Sequence, residues 1–496
     1  MKILLGHDFF DARSGRTSPV EFDTANLINP HLLIVGSSGV GKSYTIRRLI
    51  NGARQSSPGT RFHVFDVHGD LDIPGASVAQ FSEVAPFGLN PLRVNPDPEF
   101  GGVRKAVQAF MRIINQASTT SLGVKQESVL RNLLYDVYRD FGFDAEDAST
   151  WSLNAYESRL ISGGADNRLY LQVPLDEKDE AKGLGARWDG NVKLWWVQPH
   201  TYKGTVTKWP PAYKERQYPS LKDVAVYARR LHEERFLGSD QDAVRALVAH
   251  NKNARATQRR VLDAARLRQQ HSLNADDQAA LDESCAKAVA SYSKYVETIR
   301  TGFELEALMK YDSPEVVKSV LDRLNNLIAT GIFKSAPPPF DPAAGVWRYK
   351  LNALSMEEKK MLVLFLMQEL FNNAVQRGEQ TRVVDVLVLD ELSTYTSSED
   401  ERGDGIIGVI ARQARKFGQA LWAADQTPRV PESLISSVGT KIVLGLDEMF
   451  WNEAVSKLRI DSKLLEWVAP KATMAVQLKE AGSLKNRWRW VQLPNR

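Results

Sequence analysis

A short apolar run that breaks on glycine and turns at once into a helical pattern leaves a chain few architectures. Residues 32–50, "LLIVGSSGVGKSYTIRRLI", do this, and from Gly36 to Ser43 they read G-x-x-x-x-G-K-S. Gly36, Gly39 and Gly41 let the backbone curl tightly, so that N–H groups at the start of the following helix point at a phosphate. The segment Gly36, Ser37, Ser38, Gly39, Val40, Gly41, Lys42, Ser43 and Tyr44 is the expected nucleotide cradle. Lys42 is placed to reach the β- and γ-phosphates and Ser43 to ligate Mg²⁺.

Such a loop needs an acidic strand end to complete its chemistry. "VDVLVLDE" supplies Asp390 to hold Mg²⁺ through its water shell and Glu391 to polarise an attacking water. The next apolar run, "LWAADQ", ends in Gln426, a side chain able to sense the γ-phosphate or orient water. Between these runs "IARQARKFG" predicts a helix carrying Arg412, Arg415 and Lys416. Its cations read either as a solvated basic face or as charge that reaches a γ-phosphate from a neighbouring subunit.

Composition narrows the rest. The 496 residues are 43% apolar and 25% charged, enough for several ordinary domains, with a net charge of only +4. Any nucleic-acid surface must therefore be a local patch. One cysteine, Cys285, excludes an intramolecular disulfide and a cysteine-based zinc site. The opening "MKILLGHDFF" does not read as a signal peptide, and no uncharged apolar stretch approaches the ~20 residues of a membrane span. The expected location is cytoplasmic.

Four passages together resemble the HerA/FtsK superfamily of ring-forming DNA-pumping ATPases, which includes conjugative type IV secretion ATPases. They are "NPHLLIVGSSGVGKSYTIRRL", "FHVFDVHGDL", "VLVLDELSTY" and "IARQARKFGQALWAADQTPRVPESLISSVGTKIVLGL". The second resembles a D-x-H-G-[DE] strand end, which places Asp66, His68, Gly69 and Asp70, with Asp70 where the family usually has Glu. The fourth resembles the R-x-x-R-K-[YF]-G helix, casting Arg412 or Arg415 as a trans-acting arginine. The resemblance implies an α/β fold: a RecA-like P-loop NTPase core with a largely helical insertion and a small α+β module. It also implies an ATPase using ATP and Mg²⁺, a homo-hexamer with sites between subunits, and duplex DNA in a central pore. The expected activity is a DNA translocase or helicase, with a partner nuclease or effector. The alternatives are an assembly platform regulating an effector in phage defence or mobile-element biology, and a conjugative or secretion ATPase.

The expected parse is a core over 1–150 and 311–496, interrupted by an aromatic α+β module at 151–217 and a helical insertion at 218–310. "RLYLQVPLDEKDEAKGLGARWDGNVKLWWVQP" resembles a small domain of unknown function that recurs in plasmid-borne primases and topoisomerases. It predicts a strand, a helix opening near Asp176–Glu180, and a two-stranded hairpin carrying Trp188, Trp195 and Trp196. Together with Arg187 and Lys193, these tryptophans either stack on single-stranded nucleic acid or form the core of a module too small to close without them. The helix at about 240–271 carries Lys252, Arg255, Arg259, Arg260, Arg266 and Arg268. Arg255 and Arg259 are candidate contacts to DNA backbone, the alternative being a solvated face.

Overall fold

The computed structural model describes residues 1–118, 121–153, 168–190, 192–212, 217–233, 241–269, 274–298, 310–396, 400, 405–483 and 485–493. They form two compact units, 1–121 with 330–496, and 122–329.

In the first unit the strands are β1 (Lys2–Asp8), β2 (Pro19–Asp23), β3 (Leu32–Val35), β4 (Arg61–Asp66) and β5 (Ser77–Gln80). The second unit holds β6 (Leu169–Leu171), β7 (Arg187–Asp189) and β8 (Leu194–Val197). The first unit resumes with β9 (Val346–Lys350), β10 (Asp385–Leu389), β11 (Gln419–Asp425), β12 (Thr440–Val443), β13 (Thr473–Leu478) and β14 (Trp488–Gln492). One sheet runs β2-β1-β14-β13-β12-β3-β11-β10-β4-β9-β5. From β12 to β5 every neighbour is parallel; from β13 outward the pairs are antiparallel.

The central parallel strands are buried on both faces, which is why they read as continuous apolar runs. Leu32, Ile34, Val64, Leu387 and Leu421 are all at 1% exposure or less. β11 lies between the loop-bearing β3 and the acidic β10. Parallel alignment brings the carboxyl ends of β3, β4, β10 and β11 to one edge of the sheet, where ligands bind in open α/β folds. His31 fixes this arrangement from below: buried, it accepts the Leu421 N–H at 3.0 Å through Nδ1 and ties β3 to β11. Burial holds its imidazole down at about 4, so it packs there neutral. Among the described residues no helix is long and apolar enough to cross a membrane.

In the second unit, helices Val124–Asp140, Leu221–Leu231 and Pro314–Ala329 pack through Leu133, Leu134, Val224, Ala228, Val320 and Leu324. The sequence predicts a strand, a helix and a two-stranded hairpin for the aromatic module, without pairing the strand to the hairpin. The structure instead closes a three-stranded antiparallel sheet, β6-β8-β7, because the strand at Leu169 pairs with β8. The predicted helix is a 3₁₀ turn at Leu175–Glu177 followed by Lys178–Gly183.

The tryptophans divide by strand alternation. Trp209, at 2% exposure, is the large core residue, packed with Leu169, Leu171, Ala181 and Val197, and its indole N–H donates to Glu177. Trp195 sits opposite Leu171 and packs partly buried on that core. Trp196 faces the other side, where Arg168 lies 4.4 Å and Arg187 5.7 Å from its ring centre. Trp188 is 53% exposed, edge-on to Trp195. Lys193 is exposed at the turn, with φ 58°. Trp209→Ala therefore should cost ~3–5 kcal/mol, enough to unfold so small a module. Limited proteolysis of the full chain should then cut within 168–212, whereas Trp188→Ala should leave that segment resistant.

Candidate active site

The loop leaves β3 at Gly36 and enters the helix Lys42–Ser56 through Gly41, whose φ of 107° is left-handed. That helix has no side-chain cap, so its first N–H groups face the cavity without an internal partner. Gly36 is pinned underneath. A Cβ there would meet Val40 Cγ2 at 2.8 Å, and its N–H donates to the Asp425 carbonyl at 3.1 Å. Ser37 and buried Val40 share this underside, the Ser37 N–H donating to the Gly445 carbonyl at 2.9 Å. Lys42 Nζ donates to the Gly36 and Ser37 carbonyls at 2.8 and 3.1 Å, and these bonds curl the loop around the ammonium.

A cavity of about 390 Å³ opens above the loop. It is lined by Ser38, Gly39 and Gly41 to Tyr44, by His68 and Asp70, by Asp390, Glu391 and Gln426, and by Arg47 and Lys471. The turn after β4 is built to aim His68 and Asp70. Buried Asp66 accepts the Gly69 N–H at 2.7 Å and pairs with Arg348 at 2.7 Å, while Arg348 also donates to the Gly69 carbonyl at 2.9 Å. Gly69 supplies the left-handed φ of 81° that the turn needs. Asp70 Oδ2 accepts from the Ser43 hydroxyl at 3.2 Å, joining this turn to the loop.

Asp390 is 4% exposed, and burial pushes its carboxyl up. Glu391 sits at φ 53°, ψ 55°, a left-handed conformation that is strained for a side-chain-bearing residue. The strain places its Oε1 2.9 Å from His68 Nε2 and 2.6 Å from Gln426 Nε2. The hydrogen bond to Glu391 raises the His68 imidazole above its ordinary value. Glu391 is thus held by donors on two neighbouring strand ends, which orient one carboxylate oxygen and leave the other to accept from water. Burial lowers the Lys42 ammonium, opposed by Asp390, Asp425 and Glu391.

Residues 11–143 match the model of the helicase HerA central domain, and residues 168–211 match a domain of unknown function. The phosphate-loop segment resembles that of HerA-type ATPases. Among solved structures, VirB4 of Thermoanaerobacter pseudethanolicus is similar over 100% of this chain and 96% of its own, at 12% identity and a TM-score of 0.59, a likeness of fold. The plasmid coupling protein TrwB in complex with ADPNP aligns at 12% identity over 100% and 95% of the two chains, with a TM-score of 0.45. The small module is 52% identical over 42 residues to DNA primase TraC of Escherichia coli, 8% of this chain and 3% of that one.

ATP and Mg²⁺ are the cofactors of P-loop ATPases, and the residues of this site fit them. Burial disfavours charge on Lys42 and on Asp390, and an anion at the first and a cation at the second would offset it. Ser43 and Asp390 would hold the metal, which draws electron density from the phosphoryl oxygens when bound. The helix N-terminus and Lys42 would hold the phosphates.

Arg412 and Arg415 do not line this cavity. The sequence predicts one helix through both, but the helix Ile406–Gln413 ends before Arg415, and a 3₁₀ turn at Ala414–Phe417 follows. That turn tightens because buried Ala414 and Phe417 dock inward and Gly418, at φ 69°, reverses the chain into β11. Both arginines are exposed.

Three contributors escape a reading of the motifs. Asp425, at the end of β11, accepts the Ser393 N–H at 2.6 Å and braces the segment after Glu391. Arg47, one helical turn beyond Ser43, donates to the Ser43 carbonyl at 3.3 Å. Lys471, in a left-handed turn (φ 62°) before β13, reaches the cavity beside Gly41. Only Arg47 carries a sequence signal, its helical spacing from Ser43.

Proposed function

We propose that the chain is an ATP-driven DNA translocase that works as a homo-hexameric ring, with helicase action as its consequence on duplex ends. The observation that carries this is the site itself. A phosphate loop inside the segment matching the helicase HerA central domain meets buried Asp390 and a doubly oriented Glu391, from a later part of the chain, across one cavity. In each turnover Lys42 and the loop N–H groups would grip the phosphates. Glu391 would take the proton from the attacking water, with His68 and Gln426 keeping it aligned. The likeness of the small module to part of a DNA primase adds a second link to nucleic acid, with Trp188 and Arg187 the exposed candidates for contact.

The exposed position of Arg412 and Arg415, outside the cavity of their own chain, suits arginines that complete a neighbour's site. Arg415→Ala or Arg412→Ala should bind ATP yet hydrolyse it poorly. Mixed with Lys42→Ala, such a chain should recover part of the turnover, because one intact composite site assembles from two defective subunits. Absence of recovery in rings shown to co-assemble would place the arginines outside the chemistry.

The reading is tested by ATP turnover with and without duplex DNA. Stimulation by DNA supports it. Turnover indifferent to DNA, and changed only by a partner protein, would favour an assembly platform for a nuclease or effector.

A further inference from the structure

Two helices, Gln241–Gln269 and Ala275–Thr298, form an antiparallel hairpin in the second unit. Its seam is small and polar. Ala246, Ala264 and Ser284 are buried, Thr257 bonds Ser284 at 2.9 Å, and His250 bonds Ser291 at 3.3 Å. Arg260 and Arg268 are used across the seam, donating to the Ala280 carbonyl at 2.6 Å and to Gln278 at 2.8 Å. The opposite side of the first helix is different. Lys252, Arg255, Arg259 and Arg266 recur at steps of three, four and seven residues, so they fall on one face. All four are exposed, and none pairs with a carboxylate among the described residues. One acid of the same helix, Asp263, falls along this face, one turn from both Arg259 and Arg266.

We propose that this face binds the phosphate backbone of duplex DNA, an inference that rests on the translocase reading. From Lys252 to Arg266 the stripe is about 21 Å long at 1.5 Å per residue. A duplex presents one phosphate per strand every ~3.4 Å, so several phosphates lie along that length. Guanidinium groups are the donors best matched to phosphate oxygens. A lipid surface fits less well, because a membrane-lying helix needs a broad apolar face. Here the stripe contains only Val248 and Leu262, one at its start and one near its end, and the remaining apolar surface does not share its face.

The test uses the full chain carrying Lys252→Gln, Arg255→Gln, Arg259→Gln and Arg266→Gln, titrated with duplex DNA over about 50–200 mM salt. Losing four phosphate contacts should make the slope of log affinity against log salt shallower by about 3–4, and weaken low-salt binding on the order of 100-fold. DNA-independent ATP turnover should stay unchanged. The pair Arg255→Gln and Arg259→Gln alone should shift the slope by about 2, and serves if the fourfold variant misfolds. Arg255→Lys with Arg259→Lys should keep the parent slope. A parent that binds DNA beside a folded variant with the same slope overturns the inference and leaves the translocase reading standing. A parent that binds no DNA removes both. Loss of binding to anionic vesicles with an unchanged DNA slope would make the stripe a lipid surface and overturn it as well.

Discussion

Glu391→Gln should bind ATP as the parent chain does and hydrolyse it about 10²–10⁴-fold more slowly, the usual contribution of a positioned general base. The substitution keeps the shape of the side chain and its acceptor oxygen, so the left-handed turn after β10 should survive. What disappears is the carboxylate that would take a proton from water. His68 and Gln426 then orient an amide that has no basicity to offer. Rapid-mixing measurement of the hydrolytic step, beside equilibrium binding of a fluorescent ATP analogue, separates the two effects. Near-parental hydrolysis would take the chemistry away from Glu391 and leave it a brace between two strand ends.

Lys42→Ala should reduce both binding and hydrolysis, the latter below detection. The ammonium is the only loop side chain that both curls the phosphate loop, through the Gly36 and Ser37 carbonyls, and carries positive charge into the cavity. Removing it loosens the loop and deletes a charge-assisted bond to phosphate, worth about 1.5–3 kcal/mol for each such contact. Binding should therefore fall roughly tenfold or more. Isothermal titration with ADP, which lacks the γ-phosphate, reports how much of the loss belongs to the loop. A variant that hydrolyses ATP at the parent rate would contradict the assignment of the loop.

These effects trace to local sequence, which is why the ATP site was readable before the fold. A phosphate loop is a contiguous strand–turn–helix whose backbone does the work, and "VLVLDE" is a contiguous strand end. What joins them is not local. That β11 lies between β3 and β10 is a fact of sheet order, and it alone brings Gln426 onto Glu391. The salt bridge from Arg348 to Asp66, which shapes the His68 turn, spans 282 positions of chain. Lys471 enters from a turn near the far end of the sequence, in a backbone conformation that its residue type does not favour.

The aromatic module shows the opposite failure, a local signal read too coarsely. Trp195 and Trp196 are adjacent on a strand and must face opposite sides, so no single role fits both. Trp209, outside the hairpin motif, is the one that fills the core. The 3₁₀ break between Arg412 and Arg415 was hidden for another reason. Helical spacing continues through it, and only the docking of Ala414 and Phe417 with the reversal at Gly418 ends the helix.

The central claim is that hydrolysis at this site moves DNA. The most direct test is displacement of a fluorescent third strand from a triplex by the wild-type chain with ATP, and by Glu391→Gln beside it. The account predicts ATP-dependent displacement by the wild type, with a delay that lengthens with the duplex leading to the triplex, and none by Glu391→Gln despite DNA binding. Vigorous ATP turnover that never displaces the third strand would contradict it.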